Sequence, residues 1–246
     1  MHLRPFSSTG RRAEKPFETI HSDLKEFPVT SYHKYKYTIV FFDNCTSYGW
    51  NTHLKTKDAA FNAIKQFIAM VERQFPSYKI LNWMSDGGGE YRSGKLDEFF
   101  KDKGIKALYS APYIHQQSGH AERFIRTTVD KGETMRFQAC LPESWWEFSI
   151  NHAVHVYNRT PIRRLEWKTP YEALHGSVPR IDHLRVLGCG AYVFLHEDVR
   201  KNKLAPKSEL MTYLGTSDGG HGNIFMRENN SMFTAAHALF DENLFP

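Results

Sequence analysis

Two hydrophobic rhythms alternate through the first two thirds of the chain. From Lys57 to Phe75, the residues Ala60, Ala63, Ile64, Phe67, Ile68, Val71 and Phe75 recur at helical spacing and form one apolar stripe, which Pro76 closes. Before it, Phe17 to Leu24 reads as a short strand. Tyr35 to Asp43 reads as a buried strand rich in aromatic and β-branched residues, and Trp50 to Leu54 as a third that pairs in a meander. After it come a strand at Lys79 to Met84, a short helix at Lys95 to Lys103 capped by Gly104, and a strand at Ile105 to Tyr109. A polar loop, Ser110 to Gly119, leads into a helix from Gly119 to Phe137. A second helix runs from Ser144 to Asn158, stopped by Pro161. Trp145 and Trp146 open that helix as packing residues. The order of elements predicts a mixed α/β layer.

Beyond Gly176 the texture changes. Short β-like runs (Gly190 to Leu195, Leu210 to Leu214, Asn223 to Met226, Met232 to Ala236) are separated by Gly-, Asn- and Lys-rich turns, which predicts a small all-β barrel. Three parts follow: a basic arm or linker over residues 1–16 (Arg4, Arg11, Arg12, Lys15), an α/β domain over 17–176 and a β domain over 177–246.

Composition narrows the class. The 246 residues are 41% hydrophobic and 24% charged, the balance of a globular protein rather than a disordered or membrane-embedded one. A net charge of +5 is a mild excess that fits an anionic partner, nucleic acid first among them. Cys45, Cys140 and Cys189 are odd in number and far apart, so neither a disulfide framework nor a cysteine zinc site is expected, and an intracellular compartment is. The N-terminus lacks the apolar run of a signal peptide, and no stretch is long and apolar enough to span a membrane.

Three carboxylates stand where a scaffold can aim side chains at one point. Asp23 is read at the end of the first strand. Asp86 ends the fourth and is followed by Gly87-Gly88-Gly89, while Glu122 falls in the first turn of the helix after the polar loop. Convergent carboxylates without cysteine or histidine make an oxygen-rich site suited to Mg²⁺ or Mn²⁺. Two such ions can clamp an in-line phosphoryl transfer. A lone Asp at a strand end is ordinarily a turn or capping residue, however, and Asp43 also ends a strand with no catalytic claim. His21 reads as a packing neighbour, and Glu90 as a solvated loop acid or a fourth acid of the site.

Ordered segments carry a resemblance. Ile20-His21-Ser22-Asp23, then Ser85-Asp86-Gly87-Gly88-Gly89-Glu90-Tyr91, then Gln116-Gln117-Ser118-Gly119-His120-Ala121-Glu122-Arg123 resemble the integrase core of copia-type LTR retrotransposons. The 35 residues between Asp86 and Glu122 match the D,D-35-E pattern of that family. Tyr157-Asn158-Arg159-Thr160-Pro161, Lys168-Thr169-Pro170-Tyr171-Glu172 and His183-Leu184-Arg185-Val186-Leu187-Gly188-Cys189 resemble segments downstream of it. Gly87, Ile114, His115 and Ser118 depart from the usual pattern without removing a carboxylate.

The resemblance implies an RNase H-like five-stranded mixed sheet flanked by helices, followed by a small Src-homology-3-like β-barrel. It also implies a two-metal polynucleotidyl transferase holding two Mg²⁺ (or Mn²⁺) on Asp23, Asp86 and Glu122, which trims element DNA 3′ ends and joins them to target DNA. Family members work as homo-oligomers. They reside in a cytoplasmic virus-like particle and act in the nucleus at integration. A zinc module normally precedes such cores and a long tail follows, so the chain is expected to be a fragment of a polyprotein or a truncated product. The alternative is a non-catalytic DNA- or chromatin-binding module derived from an integrase.

DNA contacts are expected from basic residues around the carboxylates. Arg126 lies four positions after Glu122, on the same helix face, and Arg123 leaves in an adjacent direction. Arg159, Arg163, Arg164 and Lys168 form a second candidate track. Lys201, Lys203 and Lys207 are read as solubilising.

Overall fold

The hydrophobic rhythms resolve into two five-stranded sheets bridged by helices. The computed structural model describes residues 13–85, 94–109, 119–217 and 222–246. Most of the basic arm, the stretch from Asp86 through the glycine run to Glu90, and the polar loop up to Ser118 lie outside the described residues.

In the first sheet, β1 (Thr19–Glu26), β2 (Tyr37–Asp43) and β3 (Gly49–Leu54) form the expected antiparallel meander. Helix α1 (Ala60–Gln74) then carries the chain to β4 (Asn82–Ser85), and α2 (Gly94–Lys103) carries it to β5 (Lys106–Tyr109). Both of these strands run parallel to their neighbours, which gives the order β3-β2-β1-β4-β5. Helices α3 (Gly119–Gln138) and α4 (Trp146–Asn158) follow.

Strand alternation divides the sheet into two faces. Ile20, Ile39, Phe41 and Trp83 share one apolar cluster with the stripe of α1 and with Leu96 and Phe100 of α2. Phe41 stacks on Phe67 with ring centroids 4.3 Å apart, and the Trp83 indole donates to Ser22 Oγ (2.8 Å). The opposite face presents Val40 and Phe42 to Ala121, Phe124 and Ile125 of α3 and to Trp146, Ile150 and Val154 of α4. Trp146 stacks on Phe27 (4.0 Å) and donates to the Val29 carbonyl, so it packs as expected.

The second sheet holds β6 (Gly190–Phe194), β7 (Ser208–Thr216), β8 (Asn223–Met226), β9 (Met232–Ala235) and β10 (Ala238–Asp241), all antiparallel, in the order β10-β6-β7-β8-β9. Periodicity missed β10, because four residues of mixed exposure carry too little pattern. A small core of Cys189, Ala191, Val193, Met211, Tyr213 and Phe225 holds this sheet together. Leu187, Leu214 and Met226 pack against Ala139, Leu141, Trp145 and Phe148, which joins it to the region of α3 and α4.

The downstream segments prove to be structural joints. Asn158 clasps the edge of β3: its Oδ1 accepts from Gly49 N (3.0 Å) and its Nδ2 donates to Gly49 O (2.8 Å). Thr169 caps the short helix α5 (Pro170–His175), where its hydroxyl accepts from Glu172 N and Pro170 supplies the first helical position. Gly188 adopts φ +80°, and a Cβ there would stand 2.3 Å from Ala139 Cβ. Burial pushes the Cys189 thiol up to about 11, so it is a packing residue. Among the described residues, no helix is long and apolar enough to cross a membrane.

Candidate active site

Asp23 sits in the middle of β1, as the fifth of its eight residues, and not at the strand end expected from the sequence. The strand continues because β2 goes on pairing with it as far as Glu26 opposite Tyr37. On the other side, the parallel ladder with β4 stops at His21 opposite Met84, two residues short of Asp23. Asp23 therefore stands just beyond the end of the parallel ladder, where the β4 side of β1 is no longer occupied by a paired strand among the described residues.

The register also sets which way Asp23 faces. Directly opposed residues of an antiparallel pair share a face. Asp23 is opposite Val40 and His21 is opposite Phe42, so both lie on the side covered by α3. Buried Ala121 and Phe124 bracket the exposed pair Glu122 and Arg123 and clamp the start of α3 to Val40 and Phe42. Glu122 thus opens a helix whose first turns lie over the face that carries Asp23. The Asp23 carboxylate is half-buried, and its Oδ1 accepts from Leu24 N (2.8 Å). Asp86 follows Ser85, the last residue of β4, and lies outside the described residues, as does Glu90.

The other acids and histidines of this region have packing roles. Asp43 is buried: Oδ1 accepts from Phe17 N, and Oδ2 accepts from both the backbone N and the hydroxyl of Thr46 (2.9 and 2.6 Å). It organises the turn between β2 and β3, and burial raises its carboxyl above the usual range. His21 is buried edge-on to Phe42 and accepts at Nε2 from Asn44 Nδ2 (2.9 Å).

The basic residues divide between two cavities. Arg123 and Arg164 line one cleft of about 260 Å³ together with Phe42, Ser47, Phe124, Thr127, Tyr157 and Ile162. One Arg164 terminal nitrogen donates to the Asn44 carbonyl (2.9 Å). Arg126, Arg163 and Lys168 are exposed. Arg159 departs from this track. It lines a separate groove of about 720 Å³ between β3, α4 and the second sheet, stacks over Tyr171, and donates to the His155 carbonyl. Burial lowers its pKa. Helix geometry explains the split, because Arg159 caps α4 whereas Arg164 lies past the turn at Pro161.

The groove also holds neutral histidines. Burial pulls His152 down to about 4. Burial, then the nearby Arg159 charge, pulls His155 to about 3, and His155 Nε2 lies 3.0 Å from His183 Nε2. Ser47, Thr127 and Tyr157 went unnoticed in the sequence as site residues. They come from three separate segments and carry no shared motif.

Known proteins extend these observations. The integrase core domain family model matches residues 13–115. The chain is 32% identical over 243 residues, 98% of its length, to the retrovirus-related Pol polyprotein from transposon RE1 of Arabidopsis thaliana. It is 31% identical over its whole length to that from transposon RE2 of the same plant, and 31% identical over 90% of its length to that from transposon TNT 1-94 of Nicotiana tabacum. It spans 16–17% of the length of these relatives. A chain of the simian T-cell lymphotropic virus intasome in complex with PP2A regulatory subunit B56 gamma shares the fold, with TM-score 0.58, 15% identity, and coverage of 98% of this chain and 84% of that one. So does the HTLV-2 integrase catalytic core domain in complex with magnesium (trimeric form), with TM-score 0.50, 20% identity, and coverage of 66% and 99%. The mixed sheet flanked by helices, the family match over residues 13–115 and the similarity along the whole chain to part of transposon Pol polyproteins agree: the chain carries an integrase core domain of the kind matched by that family and is similar to the Pol polyproteins of copia-type transposons.

Proposed function

We propose that this chain is the catalytic part of a retrotransposon integrase, a metal-dependent polynucleotidyl transferase that trims element DNA 3′ ends and joins them to target DNA. The observation that carries this reading is the placement of Asp23 beyond the parallel ladder, on the sheet face over which Glu122 opens α3. In the sequence Asp86 directly follows Ser85, the last residue of β4, the strand that pairs with β1, which supports it as the third carboxylate.

The donor set fits hard divalent cations. Asp23 is half-buried and Glu122 exposed, both offer only carboxylate oxygens, and the imidazole of His21, on the same strand face as Asp23, is buried and engaged by Asn44. Asp23, Asp86 and Glu122 would hold two Mg²⁺ or Mn²⁺. When bound, such ions supply a lowered pKa for the attacking hydroxyl or water and charge compensation for the leaving oxygen. The chain's own residues position the substrate. Arg123 and Arg126 leave α3 beside Glu122 with guanidinium groups suited to phosphate oxygens, and Arg163, Arg164 and Lys168 add positive charge on the segment after α4. Oligomeric action on element-end and target DNA, inside a particle and then in the nucleus, belongs to this same reading.

The test uses labelled element-end duplex, target DNA and Mn²⁺. The chain should cleave and join, and Asp23→Asn, Asp86→Asn and Glu122→Gln should each lose product while keeping the wild-type unfolding midpoint. A wild-type rate in folded Asp86→Asn would sink the assignment.

A further inference from the structure

The groove beside β3 runs along a sheet edge that still has backbone groups to offer. β3 is the outer strand of the first sheet and, among the described strands, pairs with β2 alone. Tyr48 O accepts from Asp43 N, whereas Gly49 N and O both turn away from β2 to Asn158. Bonding alternates along an antiparallel pair, so Trp50 and Thr52 face β2, while Asn51 and His53 aim N–H and C=O away from it. The backbone groups of Asn51 and His53 meet no hydrogen-bond partner on that side among the described residues. The Asn158 amide thus copies the pairing of a strand at Gly49 and leaves the next two outward positions open.

The same groove holds a cation without a counter-charge. In its lining Arg159 is the single Lys or Arg and Glu147 the single carboxylate. Glu147 is engaged by the ring and the backbone N of His33 (3.1 and 3.0 Å). Arg159 donates to the His155 carbonyl and lies over Tyr171, but its buried Nε has no partner and no carboxylate pairs with it among the described residues. Withdrawing a guanidinium from water without an anion is costly. Helix α4 spaces the two charges: Glu147 stands in its first turn and Arg159 caps its end, about 18 Å further on. β3 runs antiparallel to that helix, since Gly49 meets Asn158 while Asn51 and His53 meet Asn151. The cation therefore stands at the Gly49 end of the open edge, and the Glu147–His33 pair toward the His53 end.

We propose that this groove takes an extended acidic peptide segment of a partner protein, which pairs with Asn51 and His53 as a further strand and sets a carboxylate at Arg159. Its volume of about 720 Å³ falls in the range of sites that enclose a ligand, roughly 300–1,000 Å³. A DNA strand suits the edge less well. Phosphates only accept, so the carbonyls of Asn51 and His53 would stay unpaired, and one arginine makes no track for a phosphate backbone. A free anion would satisfy Arg159 and leave the edge open. A peptide offers donors and acceptors in alternation; its backbone supplies affinity, and the charge at Arg159 supplies selectivity. The inference is independent of the catalytic reading, since neither Asp23 nor Glu122 lines the groove.

Amide exchange and peptide selection test it on the 246-residue chain. In the free chain, residue-resolved exchange by NMR should be fast at Asn51 and His53 and slow at Trp50 and Thr52. A random heptapeptide phage library panned on the chain should yield peptides that share Asp or Glu at one position. The synthetic peptide of the strongest clone should slow exchange at Asn51 and His53 by about tenfold or more. Arg159→Gln should weaken that peptide about tenfold and leave the affinity of its amide counterpart (Asp→Asn or Glu→Gln) unchanged. Asn51→Pro removes an outward N–H and no bond to β2, so it should weaken both peptides. N-methylation of the peptide's own amides applies the same test if that variant does not fold. An unenriched library, selected peptides without a shared acid, or an acid preference that survives Arg159→Gln would each overturn the proposal. So would binding that leaves the two amides exchanging freely, and an oligothymidylate that displaces the peptide would give the groove to nucleic acid instead.

Discussion

The two faces of the first sheet are built to different ends. The face toward α1 and α2 is closed by large apolar side chains, Phe41 on Phe67 and Trp83 against Phe100, with side-chain bonds from Trp83 to Ser22 and from Tyr109 to Asp97. The face toward α3 and α4 gives part of its area to polar groups. His21, Asp23 and the arginine-bearing cleft interrupt its apolar contacts. One face supplies the packing around β1 and β4, and the other leaves part of its area to polar and charged side chains.

Four measurements break or sharpen this contrast. The largest effect is expected on the closed face. Trp83→Ala should cost about 3–5 kcal/mol in urea denaturation, through the cavity and the stranded Ser22 hydroxyl. A loss well under half of that would mean the α1 face does not carry the stability assigned to it. Next is the contact between the sheet edge and α3. Gly49→Ala would place a Cβ 2.1 Å from Phe124 Cζ, so it should cost about 1–3 kcal/mol and displace a wall of the cleft. An unchanged midpoint would show that Phe124 yields freely.

The third measurement concerns pH. His152 on α4 is buried and neutral, with its folded pKa depressed from 6.5 to about 4. Its contribution is fully present above pH 6.5 and is lost as pH falls toward 4, because the unfolded chain then binds the proton first. His152 should account for about 1.4 kcal/mol of the stability lost per pH unit across that window, so His152→Phe should make the profile shallower by one proton. A parallel profile in the variant would remove His152 as the cause. The smallest stability change is expected at the reachable carboxylate. Asp23→Asn keeps the oxygen that accepts from Leu24 N, so folding should move by no more than about 0.5 kcal/mol while DNA joining disappears. A large destabilisation there would make Asp23 a structural residue and blur the contrast between the faces.

Much of the scaffold could be read from the sequence because local pattern reports local structure. The stripe from Ala60 to Val71 became α1, and the meander and the helices from Gly119 and Trp146 appeared close to their expected limits. The reading failed where pattern was thin or several segments met. The four-residue β10 was missed, and Asp23 was placed at a strand end because nothing local shows that β2 keeps pairing past it. Arg159 and Arg164 are five positions apart in sequence, and only the end of α4 sends them to different cavities.

The sequence by itself determined the family, the identity and spacing of the three acids, and the order of elements, since motif and periodicity are properties of neighbouring residues. Only the tertiary structure decided that Asp23 shares a face with the start of α3, that Asn158 and Thr169 are a clasp and a cap, and that Phe42, Ser47, Arg123, Tyr157 and Arg164 line one cleft. Those relations depend on strand register and on helix packing. A shift of one residue in register reverses every face, and residues far apart in the chain meet only once both are set.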